Sequence, residues 1–191
     1  MIDTPLRREV FWANLEPVKG SEQGGFRPVL IISNNLMNEK APVVIAIPMT
    51  RSDEAKSAPF NIFYKSSQVS VNKNAVEELA KLGHRYAHAD GVLLCNQSRT
   101  IAKVRLICKL GIFVDVDVIR RVEESIKDAF ALEACDICGI PLRVGGIICR
   151  RCGRAYRTMC VCKAVVGLEF NYCPVCGRGL KGESSEQTRL N

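Results

Sequence analysis

No stretch of this 191-residue chain is apolar for long enough to cross a bilayer; the longest such run, Pro42 to Met49, has the length of a buried strand. The opening residues, Met1 to Glu9, hold no apolar segment of the kind a secretion signal needs, so a cytoplasmic protein with no membrane partner is expected. Histidine is nearly missing: His84 and His88 are the only two. The first two-thirds shows no long internal repeat and no alternation of strand and helix signals, which argues against a solenoid and a parallel sheet. Charge of one sign is lacking there too. The formal net charge is +7, yet residues 1–133 carry 18 basic and 16 acidic groups, against 9 and 4 in residues 134–191. This favours a polyanionic partner only weakly, and thiolates bound to zinc would cancel most of the tail's excess.

What the chain does have is a 47% apolar content, enough for a real core, and ten cysteines. Eight of them (Cys135, Cys138, Cys149, Cys152, Cys160, Cys162, Cys173 and Cys176) fall within 42 residues, leaving Cys95 and Cys108 outside. In a reducing compartment such units mean metal rather than disulfide. Cys135-x2-Cys138-x10-Cys149-x2-Cys152 is a zinc signature, because each Cys-x-x-Cys-Gly turn points two sulfurs at one tetrahedral ion while Gly139 and Gly153 relieve the backbone. Cys160-x-Cys162-x10-Cys173-x2-Cys176 repeats the plan with one knuckle shortened, and its second half looks like half of a zinc ribbon or a rubredoxin site, so iron is the alternative metal. Equal ten-residue spacings favour sequential pairing, each tetrad closing its own ribbon. Cross-braced pairing, with Cys135 and Cys138 joining Cys160 and Cys162, stays open. Either way two Zn²⁺ would be structural, since four thiolates leave no position for water and so short a segment buries little core unaided. The expected organisation is a barrel over 1–133, a double zinc-ribbon-like region over 134–181 and a polar, disordered tail over 182–191.

The first part reads as mainly β with helices (α+β), a small barrel or curled antiparallel sheet closed by a C-terminal helix. Strands are expected at Glu9–Leu15, Pro28–Ser33, Val43–Met49, Phe60–Tyr64 and Val92–Gln97. The period changes over 115–134, where Val118, Ile119, Val122, Ile126, Ala129 and Phe130 share a helical face behind a cap at Asp115 or Asp117; a second helix is expected over Asn74–Leu82. Between the first two strands lies Gly20-Ser21-Glu22-Gln23-Gly24-Gly25-Phe26-Arg27-Pro28. Its glycines let backbone N–H groups approach a phosphate closely, and Pro28 would hold Arg27 at the rim of a strand. A tight hairpin with a surface arginine is the plainer alternative.

In order along the chain stand Glu9-Val10-Phe11-Trp12, the Gly20 to Leu30 run, Ser33-Asn34, Ile47-Pro48-Met49-Thr50 and Gln97-Ser98-Arg99-Thr100-Ile101. With these motifs the chain, over about residues 6–133, resembles the MazF/PemK toxins, sequence-specific endoribonucleases of toxin–antitoxin pairs. The resemblance implies an SH3-like barrel that forms a homodimer, a single-stranded mRNA substrate and a cognate antitoxin protein. It further implies attack by the ribose 2′-hydroxyl on the adjoining phosphate with no catalytic metal, and a functional pair at Arg27 and Thr50. Arg27 suits transition-state stabilisation and is a poor base, because arginine does not release its proton. Thr50 offers an orientable hydroxyl, with a strand-end cap as its plainer reading. Gly20, Ser21, Glu22, Gln23, Gly24, Gly25, Phe26 and Asn34 join the substrate-binding set. Gln97 and Arg99, expected to share one face of a strand, would either hold RNA or brace the loop.

The sequence departs from the family pattern at Asn96 and Ser98, and in an insertion around Gln68–Asp90 expected beside the substrate groove. That insertion holds both histidines, four apart, which on a helix would share a face; they read as solvent-facing and are given no catalytic role. Arg150, Arg151, Arg154, Tyr156 and Arg157 make a basic surface suited to RNA, to a protein or simply to solvent. A non-enzymatic nucleic-acid-binding regulator with zinc ribbons is the alternative to an enzyme. A CcdB-type gyrase poison fits less well, for the Trp-Gly-Ile ending of that group is replaced by Arg189-Leu190-Asn191.

Overall fold

The computed structural model describes residues 3–58, 60–130, 132, 134–140, 142 and 146–180. The expected tail over 182–191 lies outside them. The chain forms two units, Met1–Phe130 and Ala131–Asn191.

The first unit runs β1 (Glu9–Asn14), β2 (Phe26–Ile31), α1 (Asn35–Lys40), β3 (Val43–Thr50), β4 (Ile62–Tyr64), β5 (Val69–Val71), α2 (Lys73–Lys81), β6 (Gly91–Leu93), β7 (Arg99–Ala102), β8 (Leu106–Phe113) and α3 (Val116–Ala129). Its strands form one antiparallel sheet in the order β4-β6-β3-β2-β1-β8-β5. β3 is long enough to serve two partners on one edge: Val43–Ala46 pair with β7, and Met49 and Thr50 with β6. Two register shifts between β1 and β8 add curl, so the sheet becomes a half-barrel. Gly111 permits the tightest contact, for a Cβ there would fall 2.1 Å from the Ser70 carbonyl oxygen.

Both faces of the sheet are covered, which explains why its central strands read as unbroken apolar runs. Val10, Trp12, Leu30, Ile47 and Met49 point to one face, where α3 adds Val118, Ile119 and Val122 and α2 adds Leu79. The alternating residues Phe11, Ala13, Val29, Ile31, Val44 and Ala46 pack on the other with Ile101 and Leu106. Each Val, Leu, Ile, Phe or Met among them, fully buried, is worth roughly 1.5–3 kcal/mol of transfer free energy. Asp115 caps α3 by accepting from the Asp117 and Val118 N–H groups at 2.8 and 3.2 Å.

Several expectations need correction. Residues Cys95–Gln97 form a 3-10 turn rather than the end of a strand, because β6 stops at Leu93; Gln97 and Arg99 therefore do not share a strand. Phe60 and Asn61 precede β4, the terminal helix ends at Ala129, and Phe130 is exposed. The strand expected to carry Arg99 is β7, which starts there, whereas α1, β5 and β8 go beyond what the sequence signals indicate. Pro28 sits inside β2 opposite Trp12, but β3 pairs only with Val29–Ile31, so its missing N–H costs no bond on that side.

The second unit holds a short hairpin, β9 (Arg157–Met159) with β10 (Val165–Gly167), and two single bridges, Ile148 to Ala155 and Tyr172 to Gly179. Its apolar cluster is small: Val166 between Cys160 and Cys173, with Ala164 and Leu180 against it.

Candidate active site

The loop between β1 and β2 folds back on itself. Gly20 and Gly25 occupy the left-handed region, with φ of 58° and 75°. Gly24 approaches Glu16 so closely that a Cβ would meet Glu16 Oε1 at 2.5 Å, and the same oxygen accepts from the Gly25 N–H at 2.6 Å. The fold turns the Gly24 carbonyl toward Arg27, whose Nε donates to it at 2.6 Å, while Arg27 Nη1 donates to Gln23 Oε1. Burial lowers the Arg27 pKa and Glu16 opposes the shift; the guanidinium stays charged at ordinary pH. The loop is pinned from the far side. Gln97 Oε1 accepts from the Gln23 N–H at 2.7 Å, Gln97 Nε2 donates to the Ser21 carbonyl at 3.2 Å, and Arg99 pairs with Glu22 at 3.7 Å.

Thr50 closes β3, and its Oγ1 accepts from the Ser52 N–H at 3.3 Å. Gly91 lets β6 come close, since a Cβ there would sit 2.7 Å from the Thr50 carbonyl oxygen and 2.6 Å from Tyr64 Oη. A cavity of about 240 Å³ opens between these elements. Trp12, Phe26, Arg27, Met49, Thr50, Arg51, Tyr64, Arg85 and Tyr86 are in its wall, with Pro28 and Ala87. Three arginines and, among the described residues, no carboxylate line it, a lining suited to a phosphate. Burial raises the pKa of both phenols, Tyr64 and Tyr86, with neighbouring Tyr86 and Asp90 adding to the shift at Tyr64, so both are neutral hydrogen-bond donors.

The anticipated residues thus separate into groups. Arg27, Thr50 and Phe26 share the first cavity. Ser21, Glu22, Gln97 and Arg99 line a second one, of about 530 Å³, together with Lys19, Asn96 and Ser98. Gln23 links the two through its backbone and side chain. Asn34 belongs to neither: it lies past the opposite end of β2, where its Oδ1 accepts from the Met37 N–H at 2.8 Å and caps α1. His84 and His88 lie beyond α2 with no helix between them. His84 is half-buried with its ring 4.5 Å from Phe26, and His88 Nε2 contacts the Ser66 carbonyl at 2.9 Å. Sequence reasoning missed Arg51, Tyr64, Arg85 and Tyr86. Arg51 adjoins Thr50, and the basic-aromatic run His84-Arg85-Tyr86 was the one signal within the insertion.

The second unit gathers its cysteines into the sequential sets, Cys135, Cys138, Cys149 and Cys152, then Cys160, Cys162, Cys173 and Cys176, and not the cross-braced ones. Within each set the sulfurs lie within 4.8 Å of one another. A tetrahedral ion with metal–sulfur bonds of about 2.3 Å would space them about 3.8 Å apart. Cys135–Cys152, Cys138–Cys149 and Cys160–Cys176 stand at 3.5 Å and Cys162–Cys173 at 3.7 Å, so the residues fit such an ion. Gly139, Gly153 and Gly177 end three knuckles with φ of 66–74°. Lys163 takes that place in the shortened one, at φ 68°. N–H groups of Cys152 and Arg151 directed at Cys149 hold its thiol pKa below the ordinary value, while burial and the neighbouring sulfurs push those of Cys138 and Cys152 up.

The family model described as PemK-like, MazF-like toxin of type II toxin-antitoxin system matches residues 6–130. This chain belongs to the PemK/MazF toxin family. Among its relatives, Endoribonuclease EndoA of Bacillus subtilis is 32% identical over 126 residues, 66% of this chain and 94% of its own. Endoribonuclease MazF of Staphylococcus saprophyticus is 35% identical over 109 residues, 57% of this chain and 78% of its own. A crystal structure of MazF from Deinococcus radiodurans covers 67% of this chain and 97% of its own, with 23% identity and a TM-score of 0.49. The PemK/MazF match contains both cavities and stops before the first cysteine of the tetrads.

Proposed function

We propose that this PemK/MazF family member is an endoribonuclease toxin that cleaves single-stranded mRNA at particular sequences, acts in the cytoplasm as a homodimer and is held in check by a cognate antitoxin protein. The reading rests on one observation above all: Arg27 and Thr50, from different strands, line one cavity whose other charged residues are arginines. Family membership and relatives named as endoribonucleases agree with it.

In this reading the 2′-hydroxyl of the substrate gives its proton to solvent water or hydroxide as it attacks its neighbouring phosphorus, and the leaving 5′-oxygen takes up a proton in turn. The P–O5′ bond breaks, leaving a 2′,3′-cyclic phosphate and a 5′-hydroxyl. Arg27, already fixed by Gly24 and Gln23, stabilises the dianionic transition state without reorganising. Thr50 orients the phosphate or the 2′-oxygen, and the neutral phenols are the donors available to the leaving oxygen. Among the described residues no carboxylate or imidazole lines the cavity to serve as base. The cleavage rate should therefore climb with pH without levelling at a carboxylate or imidazole pKa, and the raised tyrosine pKa values keep the phenols protonated through neutral pH. The chemistry uses no metal. The two cysteine tetrads hold structural Zn²⁺, since four thiolates leave no position for water.

The test is to digest RNA in EDTA and map the ends. Cyclic phosphate and 5′-hydroxyl termini are expected, and Arg27→Ala should slow cleavage on the order of a hundred- to a thousandfold. An Arg27→Ala protein as fast as the parent would remove the assignment.

A further inference from the structure

The segment between α2 and β6 puts a third guanidinium at the cavity, and nothing in the reaction just described uses it. Gly83 turns the chain with φ of 81°, and the His84 N–H donates to the Leu79 carbonyl at 3.2 Å. His84 then packs 4.5 Å from Phe26 and 5.8 Å from Trp12, and Tyr86 stands edge-on to Trp12 at 6.2 Å. Farther on, His88 Nε2 meets the Ser66 carbonyl, and Asp90 Oδ1 accepts from the Ser66 N–H at 2.8 Å. The backbone on both sides of Arg85 is thus anchored, while Arg85 itself is exposed, lines the cavity and makes no ion pair or hydrogen bond with a described residue. An arginine on an anchored segment, lining a cavity with no carboxylate among the described residues, is preorganised for an anion. On the same wall the indole Nε1 of Trp12 is buried without an acceptor among the described residues.

We infer that Arg85 binds a backbone phosphate next to the scissile one, with the His84 and Tyr86 rings fixing its position, so that the segment between α2 and β6 sets how firmly this chain grips RNA. Resting on the nuclease reading, the inference gives Arg27 the reacting phosphate and Arg85 a neighbouring one. Single-stranded RNA offers one phosphate per nucleotide, and each neutralised phosphate adds about 0.7 to the slope of log affinity against log salt. Arg85 is therefore a binding residue whose loss shows in affinity and KM more than in kcat.

The experiment measures binding of an RNA carrying a 2′-deoxy sugar at the cleavage position, which blocks the attack, across a range of salt. Arg85→Ala should weaken binding about tenfold and lower the salt slope by about 0.7, and Arg85→Lys should restore the slope by restoring the charge. Thermal melting of each variant guards against loss of fold, which an exposed side chain should not cause. Unchanged affinity and slope in Arg85→Ala, with the parent cleaving unmodified RNA, would overturn this inference and leave the nuclease reading standing. A normal Arg85 effect with no cleavage by the parent would overturn the nuclease reading and keep the binding site.

Discussion

In the barrel, Leu110 and Phe113 of β8 are fully buried among side chains from the strands and from α2 and α3, with a second apolar cluster on the other face of the sheet. In the cysteine region the buried set among the described residues comes down to Val166 and four of the cysteines, Cys135, Cys149, Cys160 and Cys173, and Ile137, Val161, Tyr172 and Val175 are exposed. The first unit carries its own hydrophobic core. The second has replaced one with two sets of four thiols, so its folding free energy must come from whatever those thiols bind. On the proposed reading, metal would hold the shape of the second unit and take part in the chemistry of neither.

The largest expected effect separates the two units most sharply. A structural zinc site contributes about 10–16 kcal/mol of apparent binding free energy, so stripping metal with a strong chelator should collapse the amide NMR signals of residues 146–180 while those of β1 to α3 keep their positions. Retention of the first set would mean that the hairpins hold without metal. The reciprocal change is Leu110→Ala. It should cost the barrel about 2–5 kcal/mol in urea unfolding, equally with and without chelator, because Leu110 is fully buried in the unit that has a core. Gln97→Ala should be milder, removing the bonds that pin Gln23 and Ser21 at about 0.5–1.5 kcal/mol each, measured as a fall of a few degrees in melting temperature with a modest fall in RNA cleavage. The smallest effect runs the other way. Lys163 holds a φ of 68° that glycine adopts freely, so Lys163→Gly should tighten the second tetrad by roughly 0.5–1 kcal/mol, read from chelator competition.

What the sequence made legible follows the same division. The tetrads could be read outright, because sulfur spacing is itself the geometry, and only the choice between sequential and cross-braced pairing waited for coordinates. β1, β2 and β3 could be read from their unbroken apolar runs, which reflect burial on both faces. β8 was hidden because Lys109 and Gly111 interrupt its apolar pattern, the first to pair with buried Glu9 and the second to admit Ser70. α1 has only six residues and one buried side chain, too few to show a period. At the site, Arg27 stood out from its Gly-rich loop and the proline that follows it, whereas Thr50 could be named only through the family motifs. Arg51, Arg85 and Tyr86 could not, since their meeting depends on how the insertion folds back across Trp12. Gln97 was placed on a strand because nothing local to it announces a 3-10 turn, yet its contacts with Gln23 and Ser21 are those of a brace for the loop.

The most direct test of this division is to follow RNA cleavage by the full-length protein before and after complete removal of metal. The expected result is an unchanged rate and unchanged cyclic-phosphate ends once the cysteine region has lost its structure. Loss of cleavage on metal removal, restored by Zn²⁺ alone with the barrel folded throughout, would contradict it.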